Sequence, residues 1–289
     1  MNTTAILIGL GPLLGWGLYP TIASKIGGRP VNQILGSTLG TLIFAFVFAL
    51  VNGMSLPTGM DLVFSILSGV GWAIAQIITF QSFTLIGSSR AMPITTAFQL
   101  LGASLWGVFA LNAKLLGGLA LVLIILGAWM TVWTEEKTQE KANVLKKAVL
   151  LLAVGEIGYW AYSAAPQATN IDGMHAFLPQ AIGMLLVALV YSVILSVKDK
   201  EKSALAEAVS YKHIFSGFFF AFAALTYLIS AQPDMNGLAT GFILSQTSVV
   251  LATLTGIWFL GQKKTKKEMT ITIIGLVLIL AAAAMTVMI

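Results

Sequence analysis

Long apolar runs, separated only by short polar connections, constrain this chain more than any other feature of its sequence. A soluble domain carries roughly 25% charged residues, whereas here 9% of the residues are charged and 57% are hydrophobic. Most of the surface must therefore face hydrocarbon, where the unit of structure is an apolar helix of ~20 residues. The composition predicts an all-α integral membrane protein.

Ten apolar segments are long enough to span a bilayer. We predict transmembrane helices near residues 4–24, 31–52, 61–86, 91–112, 114–133, 148–169, 175–197, 211–231, 237–260 and 268–288. A polar stretch divides five helices from five, so we expect an N-terminal five-helix repeat over 1–133, a linker over 134–147 and a C-terminal five-helix repeat over 148–289. The first residues lack the basic segment of a cleavable signal peptide, so the first span is expected to be retained.

The basic residues are segregated to one side of this predicted topology. Of the 16 Lys and Arg residues, all but Lys114 fall in the odd-numbered connections between spans. Lys and Arg near span ends are retained in the cytoplasm. The sequence therefore predicts a multi-pass protein of a plasma membrane, with the linker cytoplasmic and both termini extracytoplasmic.

Five helices per half means that the second half enters the membrane in the opposite sense to the first, as in an inverted repeat. Three pairs of positions in the two halves match at separations of 144, 147 and 147 residues: Trp16 with Trp160, Gln33-x-x-Gly36 with Gln180-x-x-Gly183, and Gln99 with Gln246. The sequence therefore predicts ten transmembrane helices arranged as two inverted five-helix repeats.

Glu156 is the only carboxylate in the interior of any predicted span. Tyr159 and Trp160 follow it at i+3 and i+4, so the carboxylate and two aromatic rings share one helix face. An ionisable group near the middle of a bilayer has a high free-energy cost, and such groups usually mark transport pathways. We expect Glu156 to exchange a proton during transport or to accept hydrogen bonds from a polyol. The alternative is a protonated Glu that bonds a neighbouring helix for structure alone.

Aromatic rings and amides recur at helical spacing elsewhere. Trp72 and Gln76 are i and i+4 on the third span, and Trp16, Gln99 and Gln246 lie inside the first, fourth and ninth. A sugar packs its C–H faces on aromatic rings and offers hydroxyls that need both donors and acceptors, which Gln supplies. These residues, with Tyr159 and Trp160, are the predicted substrate site. The alternative is that each Gln only joins helices, for about 0.6 kcal/mol.

Other chemistry finds little support. The chain has no cysteine, its two histidines lie at distant span ends, and neither a catalytic triad nor a phosphate-binding loop occurs, so we expect no metal, no cofactor and no enzymatic activity. The charges lie in short connections, which argues against nucleic-acid binding. Arg90, in the connection between the third and fourth spans, is either a gate residue or a topology anchor.

Five stretches, spread over both halves, resemble the glucose/ribose uptake family of the drug/metabolite transporter superfamily, and most closely its bacterial ribose uptake members. They are Gly9-Leu-Gly-Pro-Leu-Leu-Gly-Trp-Gly17, Gly27-Gly-Arg-Pro-Val-Asn-Gln33, Gly87-Ser-Ser-Arg-Ala-Met-Pro93 followed by Thr95-Thr-Ala-Phe-Gln-Leu100, Ser163-Ala-Ala-Pro-Gln-Ala-Thr169 and Gly237-Leu-Ala-Thr-Gly-Phe-Ile-Leu-Ser-Gln246. The resemblance implies import of a monosaccharide, ribose before glucose, by proton coupling or facilitated diffusion across a bacterial plasma membrane.

The partners expected on this basis are a sugar, protons and membrane lipid, with no prosthetic cofactor. A chain with both repeats needs no oligomeric partner to complete its site. Two other functions stay open because a fold does not determine a substrate. One is export of another metabolite or a drug, for which Glu156 beside Trp160 would suit a cation. The other is a membrane scaffold that transports nothing.

Overall fold

The structure is a computed structural model that describes residues 3–110, 114–136, 138–169, 171–198, 202–232, 234–286 and 288. These residues form α-helices, two short 3-10 turns and no strand. The α-helices in chain order are α1 (Thr3–Gly9), α2 (Gly11–Ile26), α3 (Pro30–Val51), α4 (Gly59–Ile86), α5 (Ser88–Ala110), α6 (Lys114–Val132), α7 (Gln139–Ala164), α8 (Gly173–Lys198), α9 (Ala208–Ser230), α10 (Gly237–Gln246), α11 (Ser248–Phe259) and α12 (Lys266–Thr286).

The helices are those of a membrane protein. Within the described ranges, seven apolar helical segments are long enough to cross a bilayer, and a shorter one runs over Leu116–Val132. Many large apolar side chains, among them Phe46, Val51 and Val154, point outward, as a surface in contact with lipid requires. The prediction of an all-helical, multi-pass membrane protein is confirmed, and each of the ten predicted spans coincides with helix.

Helix α7 begins earlier than predicted. Thr138 caps it by accepting a hydrogen bond from the Lys141 backbone nitrogen at 3.2 Å, and Glu140 lies in the first turn, where the helix dipole favours an acidic residue. Most of the linker predicted over 134–147 is therefore the first turns of this helix. The α-helix ends at Ala164, ahead of Pro166, and continues as a 3-10 turn to Ala168.

Two predicted spans are interrupted. The first divides at Leu10, two residues before Pro12, whose missing N–H weakens the helical ladder at that point. The ninth divides at Thr247, whose hydroxyl bonds the Leu244 carbonyl oxygen at 2.5 Å and so competes with the backbone ladder. Interrupted helices in membrane proteins are tolerated where protein or a cavity surrounds them.

Helices of the two halves interleave through glycine contacts. Helix α3 packs on α9, α4 on both α7 and α8, and α6 on α12. At the first contact, a Cβ on Gly36 would lie 1.8 Å from the Ser210 carbonyl oxygen, and a Cβ on Gly217 would lie 2.2 Å from that of Ser37. Small residues allow such close backbone approach, which drives helix association in lipid. The sequence halves are therefore not separate bodies.

Candidate functional site

Aromatic rings from α2, α4 and α9 meet near the middle of these helices. The ring centroids of Trp72 and Phe220 are 4.2 Å apart, and Tyr19 lies 5.7 Å from Phe220 and 5.9 Å from Phe80. Trp16 lies 6.4 Å from Phe220. Phe220 of the second half thus joins rings from two helices of the first half. These distances are those of favourable aromatic pairs.

A polar edge borders the rings on the side of α7. The Tyr159 hydroxyl donates to the Gln76 side-chain oxygen at 2.8 Å and lies 3.0 Å from the Thr79 hydroxyl. Gln76 and Thr79 are one turn apart on α4, so they hold the phenol from the same helix face. Tyr159 also interacts electrostatically with Glu156 and with Tyr19, which places the carboxylate and the rings in one continuous site.

Glu156 has no hydrogen-bond partner among the described residues. Its exposed fraction is 1%, and both carboxylate oxygens are buried without a bond. The Thr95 hydroxyl on α5, in a residue 2% exposed, is near enough to interact with this carboxylate, yet it also completes no bond within the described chain. An unsatisfied buried polar group costs about 1–3 kcal/mol, and more if charged. The fold therefore retains an expensive arrangement here.

Two further buried groups at this place lack partners among the described residues, the Trp16 indole nitrogen and the Tyr19 hydroxyl. Such groups are rare in native structures and call for an explanation, which an absent ligand or water can supply. We call the whole arrangement the central cluster, which contains Trp16, Tyr19, Trp72, Gln76, Thr79, Phe80, Thr95, Glu156, Tyr159 and Phe220.

The central cluster includes five of the predicted site residues, Trp16, Trp72, Gln76, Glu156 and Tyr159. Trp160 is 45% exposed and packs against Gly102 of α5. It points away from the cluster because successive helical residues are about 100° apart, and Tyr159 takes the inner direction. Gln99 is partly exposed, and Gln246 is buried at the end of α10, where it donates to the Ser245 hydroxyl at 3.3 Å.

Five members of the central cluster are not among the predicted site residues: Tyr19, Thr79, Phe80, Thr95 and Phe220. Tyr19 lies at i+3 from Trp16, so the shared helix face was a usable signal. Phe220 ends a run of three phenylalanines, and Thr95 precedes another threonine, so neither is distinguishable from ordinary helix residues in the sequence.

A second polar arrangement, the basic-end network, joins the connection between α2 and α3 to residues just before and inside α9. Glu207 accepts from the Arg29 guanidinium at 2.5 Å and from the Asn32 amide at 2.6 Å. The same amide donates to the Ser210 hydroxyl at 2.9 Å, and that hydroxyl donates to the Ala204 carbonyl oxygen at 2.7 Å. Hydrogen bonds from Asn32 and Arg29 lower the pKa of Glu207. This carboxylate accepts two hydrogen bonds at its Oε2 atom.

Arg90 lies beside a set of contacts between the start of α5 and the connection that precedes α12. The Ser89 backbone nitrogen donates to the Gln262 side-chain oxygen at 3.0 Å, which ties the start of α5 to the connection before α12. The Lys264 ammonium donates to the Thr131 carbonyl oxygen and the Thr272 hydroxyl, both at 2.7 Å. Burial, and then the nearby charge of Arg90, lower the pKa of Lys264 to about 8. Arg90 thus has a like charge beside it.

A bundle of apolar helices that encloses aromatic rings and unpartnered polar groups from both sequence halves defines a membrane transporter for a small solute. Residues 7–289 match the family described as Sugar transport protein, and the chain belongs to this family. It is a transporter and not an enzyme.

Close relatives cover the whole chain. Proteins with the provisional name ribose uptake protein RbsU are 79% identical in Enterococcus faecalis, with 100% of both chains covered, and 75% identical in Lactiplantibacillus plantarum, with 99% of both covered. The relative of that name in Staphylococcus aureus is 63% identical over 100% of both chains. One solved crystal structure has the same fold, with a TM-score of 0.66, 18% identity and 99% of both chains covered.

Proposed function

We propose that this protein imports a monosaccharide across a bacterial plasma membrane, with ribose as the favoured substrate and glucose as the second candidate. The observation that carries the proposal is the central cluster. Its rings can pack on the C–H face of a sugar, and its unpartnered indole, phenol, hydroxyl and carboxylate groups match the donors and acceptors of sugar hydroxyls. The preference for ribose rests on the names of the relatives.

Glu156 is the group that would couple sugar movement to protons. An ionised carboxylate without partners is strongly disfavoured in a low-dielectric interior. It becomes tolerable when it is protonated, or when a sugar hydroxyl donates to it. Proton binding and sugar binding can therefore favour different states of the same site, which is what coupled transport requires. Tyr159, held by Gln76 and Thr79, lies beside this group as a fixed neighbour.

Two inverted five-helix repeats agree with the glycine contacts. The α3–α9 contact uses Gly36 and Gly217, and the α4–α8 contact uses Gly183 and Gly69, each against a carbonyl oxygen of the facing helix. Residue numbers differ by 147 between Gly36 and Gly183 and by 148 between Gly69 and Gly217. If each half of the chain were superposed on the other, the α3–α9 contact would therefore correspond to the α4–α8 contact.

Two further sets of glycine contacts fit the same exchange. Gly127 of α6 and Gly275 of α12, which are 148 residues apart, each face the carbonyl oxygen of the other. Gly15 faces the Phe219 carbonyl oxygen, as Gly158 faces that of Gly71. This last match implies a separation of 143 in the first helix of each half, which relates Trp16 to Tyr159 rather than to Trp160.

The basic-end network would close the cytoplasmic side of the carrier, because the basic connections are expected in the cytoplasm. Orientation can be tested cleanly in a chain without cysteine. We expect a cysteine introduced by Thr138→Cys to be protected from an impermeant thiol reagent in intact cells, and one introduced by Asn2→Cys to react. The reverse labelling pattern would overturn the orientation.

Transport itself is tested with the purified protein in liposomes. We expect labelled ribose to accumulate when a proton gradient is imposed and only to equilibrate when it is collapsed. Glu156→Gln should abolish accumulation but retain downhill exchange, because the amide keeps shape and hydrogen bonding and cannot titrate. Accumulation by Glu156→Gln equal to that of the parent, with the same pH dependence, would refute the coupling.

Export of a cationic solute is the second candidate, because Glu156 is an unpaired carboxylate next to Tyr159. Counterflow distinguishes the two functions. Preloaded ribose should accelerate entry of labelled ribose, and organic cations should not compete. Counterflow of an organic cation without any effect of sugars would replace sugar import with this function.

A further inference from the structure

Thr95 differs from Thr38 and Thr79, two other buried threonines in these helices. Thr38 and Thr79 donate to the carbonyl oxygens of Ile34 and Ala75, four residues back in their own helices, at 2.8 and 3.0 Å. This local bond is the usual way to satisfy a helical threonine. The Thr95 hydroxyl makes no such bond and is buried without a partner among the described residues. It lies instead within interaction distance of the Glu156 carboxylate.

The two residues come from different halves of the chain. Thr95 lies on α5, Glu156 lies on α7, and these helices pack together. Their polar groups are close but do not complete a hydrogen bond in this structure, so a small shift of one helix along the other would make the bond or break it. A contact of this kind makes the surroundings of the carboxylate depend on the relative position of α5 and α7.

A hydroxyl is suited to this position because it can donate and accept. It can donate to an ionised carboxylate and can also accept from a protonated one, whereas an amide N–H can only donate and leaves the proton of the protonated form without an acceptor. From the helices packed on α7, the polar groups that approach Glu156 or its neighbour Tyr159 are Thr95 from α5 and Gln76 and Thr79 from α4. Tyr159 on α7 itself is the titratable group beside Glu156, with Tyr19 of α2 beyond it.

We propose that Thr95 is the positioning residue of the coupling site, and that its hydroxyl forms a hydrogen bond with Glu156 when α5 and α7 shift relative to one another during transport. The bond would make the protonation state of Glu156 depend on the conformation of the carrier. This inference rests on the proposed function, since it concerns the same carboxylate, and it adds a residue that would set when the proton is bound.

The test compares substitutions that keep shape and differ in the hydroxyl. Thr95→Val removes the hydroxyl, Thr95→Ser keeps it, and Thr253→Val removes another buried, unpartnered threonine hydroxyl, on α11. We expect Thr95→Val to lower gradient-driven ribose accumulation about tenfold, and to move the midpoint of its pH profile by about one unit to higher pH, because a donor to the ionised form is lost. Thr95→Ser and Thr253→Val should stay within about twofold of the parent.

A pH midpoint for Thr95→Val equal to that of the parent would overturn the proposal while leaving proton-coupled import intact. Accumulation by the parent that ignores the proton gradient would instead remove the proposed coupling itself. Infrared spectroscopy of the purified protein provides a measurement that needs no transport. With ribose added, so that the carrier visits its other conformations, the carboxyl band that Glu156→Gln removes should shift in Thr95→Val and not in Thr95→Ser, and an unshifted band in both would also overturn the proposal.

Discussion

The central cluster and the basic-end network each place one carboxylate between the two halves of the chain, and they treat it in opposite ways. Glu207 accepts from Arg29 and Asn32 at 2.5 and 2.6 Å. Glu156 has no hydrogen-bond partner in the described part of the chain. A carboxylate with hydrogen-bond partners holds two segments together. A carboxylate without them is available to bind a proton or a ligand.

The difference is more informative because the more buried carboxylate, Glu156, is the one with fewer hydrogen-bond partners. The side chain of Glu207 is 23% exposed, so water could solvate it even without partners. Glu156, at 1%, cannot rely on water and has the greater need of protein partners. A natural sequence keeps such a locally unfavourable group at functional sites and compensates elsewhere. We therefore propose that the basic-end network holds the helices together and that the central cluster carries out the chemistry of transport.

The largest expected effect tests whether the basic end holds the halves together. Gly36→Ala places a Cβ 1.8 Å from the Ser210 carbonyl oxygen, where helix backbone must move. We expect loss of about 3 kcal/mol or more of stability and little folded protein. In Gly118→Ala the new Cβ meets no described atom within 4 Å, so this variant should fold like the parent. Size-exclusion chromatography of the two variants measures the difference, and equal yields would show that the crossing is not tight.

The second prediction compares the two carboxylates directly. Glu207→Ala leaves Arg29 and Asn32 without their acceptor and should lower stability by about 1 kcal/mol, a modest value because the pair is partly exposed. Glu156→Gln should unfold at the same temperature as the parent or higher, while it loses uphill transport. Thermal unfolding in detergent, paired with ribose uptake, separates the two roles. A stability loss in Glu156→Gln as large as that in Glu207→Ala would erase the contrast.

The third prediction decides which tryptophan contacts the sugar. Trp72 is 3% exposed and stacks on Phe220, whereas Trp160, the sequence-based candidate, is 45% exposed on the outside of α7. Substitution to Phe keeps an aromatic ring and limits damage to packing. We expect Trp72→Phe to weaken ribose binding about fivefold, since aromatic contacts contribute about 1 kcal/mol, and Trp160→Phe to change it less than twofold. Titration calorimetry measures both, and the opposite ranking would restore Trp160 to the site.

The smallest effect concerns pH. The bonds from Asn32 and Arg29 lower the pKa of Glu207 below its ordinary value of 4.5. A lowered carboxylate pKa contributes stability above the unfolded-state value, and that contribution disappears as the pH falls through the folded-state value. The stability difference between the parent and Glu207→Ala should therefore be constant from about pH 6 to 8 and shrink only in acid. A difference that changes between pH 6 and 8 would mean that Glu207 titrates there.

The sequence predicted some of the residues of the central cluster and none of the contacts between them. Glu156, Trp72, Gln76, Tyr159 and Trp16 were found because polar and large aromatic residues are conspicuous within apolar spans. Thr95 and Phe220 were not, because threonine and phenylalanine are ordinary in membrane helices and only their neighbours distinguish them. Trp160 was included because spacing along one helix cannot tell which part of a broad face points inward.

The sequence by itself determined the solvent of this protein and the approximate positions of its helices. These follow from the free energy of placing each side chain in hydrocarbon or water, which depends on composition along the chain and hardly on the fold. The tertiary structure alone decided which helices meet, that Glu207 is satisfied, and that Glu156 and Thr95 face each other unsatisfied. Those facts depend on contacts between residues that are dozens to more than a hundred positions apart, where backbone approach at glycines selects the neighbours and apolar composition does not.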